Sequence, residues 1–256
     1  TCDYIIFIDS DDYIEEDYIE TLYNGIKETN SDVASVTYKV RKLDETIIYD
    51  GSKDNNYKEN ELIILEGTDI IKELLSQKII KNFVWNKIYK KDVLCDFQVG
   101  INYEDMAFTL EVFSKLKKVA YINKSCYNYV KRDDSITATI SEKNLVDFGN
   151  AIEERYNVVK KNFKNLDQYN LYAFLESALA LSTKYVITDR KYKTVEKKVF
   201  KFIDILLNYL NENEEEFIKL LNDYQKSCIY LMRYNTELFF NFLNERQKLR
   251  TAGVLK

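Results

Sequence analysis

The 256-residue chain is 46% hydrophobic and 31% charged with a formal net charge of −5, the balance of a globular protein with enough apolar material for a full core in one or two domains. Lys and Arg are scattered rather than gathered into a stripe, which argues against a nucleic-acid partner, and no apolar run approaches the ~20 residues of a membrane-spanning helix. With no histidine and no CxxC pair among the four cysteines, zinc fingers and Ser-His or Cys-His catalysis are excluded, so acid–base chemistry near neutral pH falls to carboxylates, Lys, Tyr or Cys.

The first predicted element is a strand over Tyr4–Ile8, and it runs directly into Asp9, Asp11 and Asp12. Carboxylates packed this closely repel one another unless a cation sits among them. In an extended chain Asp9 and Asp11 project to the same side and can share Mn²⁺ or Mg²⁺, hard cations that take oxygen ligands and complete their shells with substrate phosphates. Three other readings stay open on these residues alone. One is a capping turn before a helix, where acidic side chains suit the macrodipole. A second is an EF-hand loop, in which Tyr13 and Ile14 stand where a ligand and a glycine belong. The third is a phosphatase of the haloacid dehalogenase type, which also places Asp-x-Asp after an apolar strand but follows it with a small β-branched residue instead of Tyr13.

A helix is predicted over Asp17–Thr29 with Ile19, Leu22 and Ile26 on its apolar face, then a strand over Val33–Val40. A helix over Asp69–Ser76 starts behind a Thr68 cap, a strand covers Val84–Tyr89, and Asn102 caps a helix carrying Tyr103, Glu104 and Asp105. The last strand is Val119–Ile122. From Ser141 the period becomes helical throughout, as in Leu145, Phe148, Ile152, Tyr156, Val159 and Phe163, and the same spacing recurs over Tyr172–Val186 and Val195–Leu210. The expectation is an α/β part over residues 1–140, a mixed sheet with flanking helices, followed by an all-α helical bundle over 141–256. The chain has no proline, so nothing in the sequence marks the boundary sharply.

Four segments then recur in a recognisable order: D-S-D-D from Asp9, W-N-K-I-Y from Trp85, E-D-M-A-F from Glu104, and Y-N-Y-V-K-R-D-D-S-I-T from Tyr127. Together they resemble the family 2 glycosyltransferases. The resemblance covers residues 1–140 and implies a partial GT-A fold and metal-dependent, inverting transfer from a nucleotide-diphosphate sugar, with UDP the expected nucleotide. The acceptor would be a saccharide or lipid-linked molecule in surface polysaccharide synthesis. By position, Asp9 and Asp11 would bind the metal, and Asp9, Asp12, Arg132 and Ser135 would lie on the donor side. Asp105 would be the general base. An unperturbed Asp, with a pKa of about 3.9, would be ionised but weak in that role, and a helix N-terminus would favour its charged form. Trp85, Glu104 and Lys87 are acceptor-side candidates, although a lone Trp beside Phe83 and Val84 also reads as core.

The family's upstream strand, its P-x-Y-N segment and its V-D-D-G-S segment have no counterpart in this chain. The expectation is therefore part of a longer protein, without its nucleotide-binding segment and with an open strand edge at Tyr4–Ile8 that favours homo-oligomers. A competing expectation is a non-catalytic fragment whose helical bundle binds a partner. The expected location is cytoplasmic, including the inner membrane face where a lipid-linked acceptor would lie.

Overall fold

Residues 2–132 and 140–255 are described by a computed structural model, without the side chains at 212 and 213. The chain divides into two units, Thr1–Ala138 and Thr139–Lys256.

In the first unit the elements are β1 (Tyr4–Ile6), β2 (Tyr13–Ile14), α1 (Tyr18–Thr29), β3 (Val33–Arg41), β4 (Ile47–Asp50), β5 (Leu62–Glu66), α2 (Thr68–Ser76), β6 (Lys87–Lys90), α3 (Glu104–Phe113) and β7 (Lys118–Val130). The sheet runs β1-β6-β3-β7-β2, with β4 added to β3 and β5 to β7. β3 and β7 are parallel, Val33 opposite Val119, while β6 lies antiparallel to both β3 and β1. β1 stands at one end of this order, so its outer edge is unpaired among the described residues.

Burial explains the strand that periodicity foreshortened. Only Val119–Ile122 reads as apolar, yet β7 continues through Asn123, Lys124 and Ser125 to Val130. Asn123 is fully buried because its amide donates to the carbonyls of Ser52, Tyr57 and Lys58 at 3.1, 3.0 and 3.1 Å, which supplies the partners a buried amide needs. The register against β3 slips on either side of Thr37, where these polar residues are accommodated. β6 in turn starts at Lys87 and not at Val84, because the Asn86 side chain bonds the Val36 carbonyl at 2.7 Å from a turn.

α1 buries Tyr18, Leu22 and Ile26, each worth roughly 1.5–3 kcal/mol when fully removed from water. Ile19, expected on that face, is 53% exposed. Gly25 lets the helix approach the sheet, since a Cβ there would stand 2.6 Å from the Ile122 side chain. With no proline to stop it, α1 ends on Asn30 in the left-handed conformation, φ 51°. α2 begins at Thr68 with Gly67, not Thr68, in the capping position.

The second unit is α4 (Glu142–Asn162), α5 (Asp167–Ile187), α6 (Lys193–Ile218), α7 (Asp223–Tyr234) and α8 (Thr236–Thr251) around a core that includes Ile152, Phe174, Leu206 and Phe240. Caps define its helix starts: Ser141 accepts from the Asn144 amide, and Asn222 and Gln225 form a reciprocal capping box. Buried Arg155 of α4 donates to the Ala173 carbonyl and the Ser177 hydroxyl of α5 at 3.0 and 2.7 Å. Among the described residues no helix is long and apolar enough to cross a membrane.

Candidate active site

β1 delivers the acidic turn and β2 closes it. The Asp12 amide bonds the Asp9 carbonyl at 3.2 Å, and Tyr13 and Ile14 then pair with Asn128 and Tyr127 of β7. The turn is thereby fastened to the far end of β7. The Tyr127 hydroxyl accepts from the Asp9 amide at 3.2 Å and donates to the Asp12 carboxylate at 2.8 Å; the other Asp12 oxygen accepts from the Val130 amide at 2.8 Å. Asp12 is therefore occupied with holding the turn, while Asp9 and Asp11 remain exposed. Arg132 reaches to 3.9 Å from Asp11, which joins the two predicted donor-side residues in a loose ion pair. Ser135, predicted beside it, lies outside the described residues.

The electrostatics of the turn are those of crowded anions. Loss of water contact pushes the Asp9 carboxyl upward, and Asp12, Asp11 and Glu104 push it further. Asp12 is also raised, by burial first, against the opposing pull of its Val130 and Tyr127 hydrogen bonds. Glu104, the first residue of α3, thus belongs electrostatically to the same site as Asp9. No three carboxylates converge into a self-sufficient metal cage among the described residues. Two exposed carboxylates, Asp11 only loosely paired with Arg132, suit a Mg²⁺- or Mn²⁺-type cation that takes its remaining oxygens from substrate phosphates and water.

Asp105 follows in the first turn of α3. Burial, then the neighbouring Glu104, raise its carboxyl from 3.8 to about 6, and the Met106 amide and the Lys87 ammonium only partly oppose this. The expected control by the helix N-terminus is outweighed by desolvation. Asn102 does not cap α3. Tyr103 holds that position in the left-handed conformation, φ 65°, without a side-chain cap bond, so a strained non-glycine backbone stands next to Glu104 and Asp105.

Two acceptor-side candidates are placed elsewhere. Trp85 is 6% exposed and sandwiched between Phe83 and Tyr127 at ring distances of 4.7 and 4.2 Å, with its carbonyl accepting from Tyr18 at 2.5 Å; it is core. Lys87 has no exposed surface. Its ammonium donates to the carbonyls of Lys81 and Phe83 and to Asn86, and burial lowers its pKa to about 7 against the pull of Asp105. It cannot meet an acceptor, but it lies within electrostatic reach of the predicted base. Tyr127 is the residue that sequence reasoning passed over. The signal was present: it opens the Y-N-Y-V segment, and its ring is the link between the Trp85 core and the acidic turn.

A curled mixed sheet whose acidic turn faces a carboxylate-bearing helix is the framework of the GT-A glycosyltransferases. The crystal structure of S. aureus TarS 1-349 in complex with UDP-GlcNAc superposes on 97% of this chain and 68% of its own with a TM-score of 0.60, at 17% identity. Residues 1–94 match the model of Glycosyl transferase family 2. Glycosyltransferase GlyA of Streptococcus pneumoniae serotype 4 is 30% identical over 220 residues, 83% of this chain and 31% of that protein. Poly(ribitol-phosphate) beta-N-acetylglucosaminyltransferase TarP of Staphylococcus aureus N315 is 24% identical over 245 residues, 93% of this chain and 67% of its own. The chain thus spans about a third of GlyA and two thirds of TarP. These matches favour the family 2 reading of the acidic turn over the EF-hand and phosphatase alternatives.

Proposed function

We propose that the protein transfers a glycosyl group, with inversion, from a nucleotide-diphosphate sugar to the hydroxyl of a saccharide or lipid-linked acceptor. The observation that carries this reading is the pairing of an exposed Asp9/Asp11 turn with Asp105, a carboxyl raised to about 6 at the start of the neighbouring α3. Asp105 takes the proton of the acceptor hydroxyl as its oxygen bonds the anomeric carbon, and the bond from that carbon to the diphosphate breaks in the same displacement. At pH 7 a group of pKa near 6 is mostly ionised and is about a hundredfold more basic than an ordinary Asp, closer to the value a general base needs.

Asp9 and Asp11 would hold Mn²⁺ or Mg²⁺, which supplies positive charge to a departing diphosphate. Tyr127 fixes the turn that presents them, and Arg132 is placed to contact the donor. UDP is the proposed nucleotide, supported by the UDP-GlcNAc and UDP complexes of the TarS neighbour. The names of TarP and of the Bacillus spizizenii poly(ribitol-phosphate) beta-glucosyltransferase support an acceptor that is a surface polymer.

The test is a thermal-shift panel with UDP, GDP and CDP, each with and without Mn²⁺, on the 256-residue chain and on Asp11→Ala. A ligand that binds only the native state raises the melting temperature by mass action. The reading expects a shift that needs both metal and UDP and disappears in Asp11→Ala. A shift by UDP that is indifferent to metal and to Asp11 would refute the donor site.

A further inference from the structure

The helical unit contains a cavity of ≈ 460 Å³ bounded by α5, the start of α7, and α8, a volume in the range of small-molecule sites, ~300–1,000 Å³. Its walls carry Lys184 from α5 and Arg246 and Arg250 from α8, with Thr183, Asn222 and Tyr224 between them. The single carboxylate in the wall, Glu176, already accepts a hydrogen bond from Gln225 of α7.

Elsewhere in the unit Lys198 and Lys201 are matched by Glu153, Arg190 by Glu237, and Arg233 by Glu214. Lys184 and Arg246 take part in no ion pair among the described residues. Instead each is held by a ring: the Arg246 guanidinium stands 4.0 Å from the centre of the Tyr224 ring, which Phe242 backs at 6.1 Å, and the Lys184 ammonium stands 5.9 Å from Phe148. Aromatic faces orient cations without neutralising them. Lys184 also pays for its partial burial with a lowered pKa, a cost that an anion in the cavity would remove. At the rim Asn222 marks the N-terminus of α7, whose dipole favours negative charge as well.

We propose that this cavity binds a phosphate ester, with the ring-stacked Arg246 as the bidentate contact and Lys184 and Arg250 supplying the remaining positive charge. A planar guanidinium presents two N–H groups that match two phosphate oxygens, which is why it and not the flexible ammonium is assigned the orienting role. The proposal is independent of the reading of the N-terminal unit.

Pyrophosphate is the first probe, titrated calorimetrically into the 256-residue chain in the presence of a chelator, so that no divalent cation can recruit it to Asp9 and Asp11. Saturable binding is expected, weakened at least about tenfold by Arg246→Gln and by Lys184→Gln. It should be unchanged in Asp11→Ala and altered less than about twofold by Lys197→Gln, which removes the same charge from an exposed site on α6. Circular dichroism and melting curves on each variant separate lost binding from lost folding. Absence of saturable binding by the wild-type chain, or equal losses in Arg246→Gln and Lys197→Gln, would overturn the proposal. Two further arms identify the source. Retention on phosphatidylglycerol but not phosphatidylcholine vesicles, lost in Arg246→Gln, identifies a lipid headgroup; binding of glycerol phosphate in solution without vesicle retention identifies a soluble ester.

Discussion

Replacing Asp105 by Asn should make the protein more stable and inactive at once. Burial raises this carboxyl from 3.8 to about 6, so the folded state prefers it protonated. At ~1.36 kcal/mol for each pH unit, keeping it ionised costs the fold about 3 kcal/mol at neutral pH. The sign follows from proton uptake. Below pH 3.8 the carboxyl is protonated both folded and unfolded and there is no penalty; between 3.8 and about 6 the folded state holds the extra proton, so stability falls as pH rises; above 6 the penalty is complete. An Asn at 105 has the shape of the carboxyl and never ionises, so it escapes the penalty. Trp85 is the chain's only tryptophan and lies in the core of the N-terminal unit, so its fluorescence during urea unfolding reports on the unit that carries Asp105. The expected result is a variant more stable than wild type by about 1–3 kcal/mol at pH 7.5, with the difference vanishing near pH 4. Transfer activity should fall ~10²–10⁴-fold, the usual worth of a positioned general base. A variant that is less stable at pH 7.5, or a stability difference that does not change between pH 4 and 7.5, would refute the assignment of a desolvated carboxylate.

The pH dependence of kcat/KM should show an acid limb near 6 in wild type; Lys87→Met should move that limb to higher pH, because the buried ammonium is the nearby charge that favours the Asp105 carboxylate. Tyr127→Phe keeps the stack on Trp85 but removes one bond to a charged oxygen and one to an amide, so the N-terminal unit should lose about 1.5–3 kcal/mol and the Mn²⁺-dependent UDP shift should shrink. An unaltered UDP shift would show that the turn keeps its shape without the hydroxyl. Trp85→Ala should cost about 3–5 kcal/mol of stability, read by urea unfolding followed through far-UV circular dichroism; a raised acceptor KM with stability unchanged would restore it to the acceptor site.

Much of the fold was written in local patterns. The apolar run before Asp9 and the helical stripe of α1 could be read from spacing alone, and each lies where it was expected to within a few residues. What could not be read depended on partners distant in sequence. Asn123 looks like the end of a strand until Ser52, Tyr57 and Lys58 are brought to its amide. Lys87 looks like a surface lysine until carbonyls of Lys81 and Phe83 close over it. The same limit governs the site. Residue types made Asp9, Asp11 and Asp105 the candidates, but the raised carboxyl of Asp105 follows from burial, and a helix-end rule applied to the sequence alone gave it the opposite sign.

The acidic turn raises a question of energetics that the surrounding bonds answer. Burial first, and then the repulsion among neighbouring carboxylates, raise the carboxyls of Asp9 and Asp12. A turn under such strain would open if it were held by its own backbone alone. It stays closed because Tyr127 and Val130 hold Asp12 from β7, and because Tyr127 is anchored by stacking on Trp85 and by an edge contact with Tyr18, both buried. The buried rings behind Tyr127 thus bear part of the cost of keeping these carboxylates together at the surface. That arrangement has a thermodynamic consequence: any cation entering between Asp9 and Asp11 gains the repulsion it relieves, in addition to its own coordination energy. In the proposed donor site, preorganised repulsion of this kind would convert fold stability into affinity for a cation and for the phosphates that accompany it. Tyr127, Trp85 and Tyr18 of the N-terminal core would accordingly act on that site through the turn they hold.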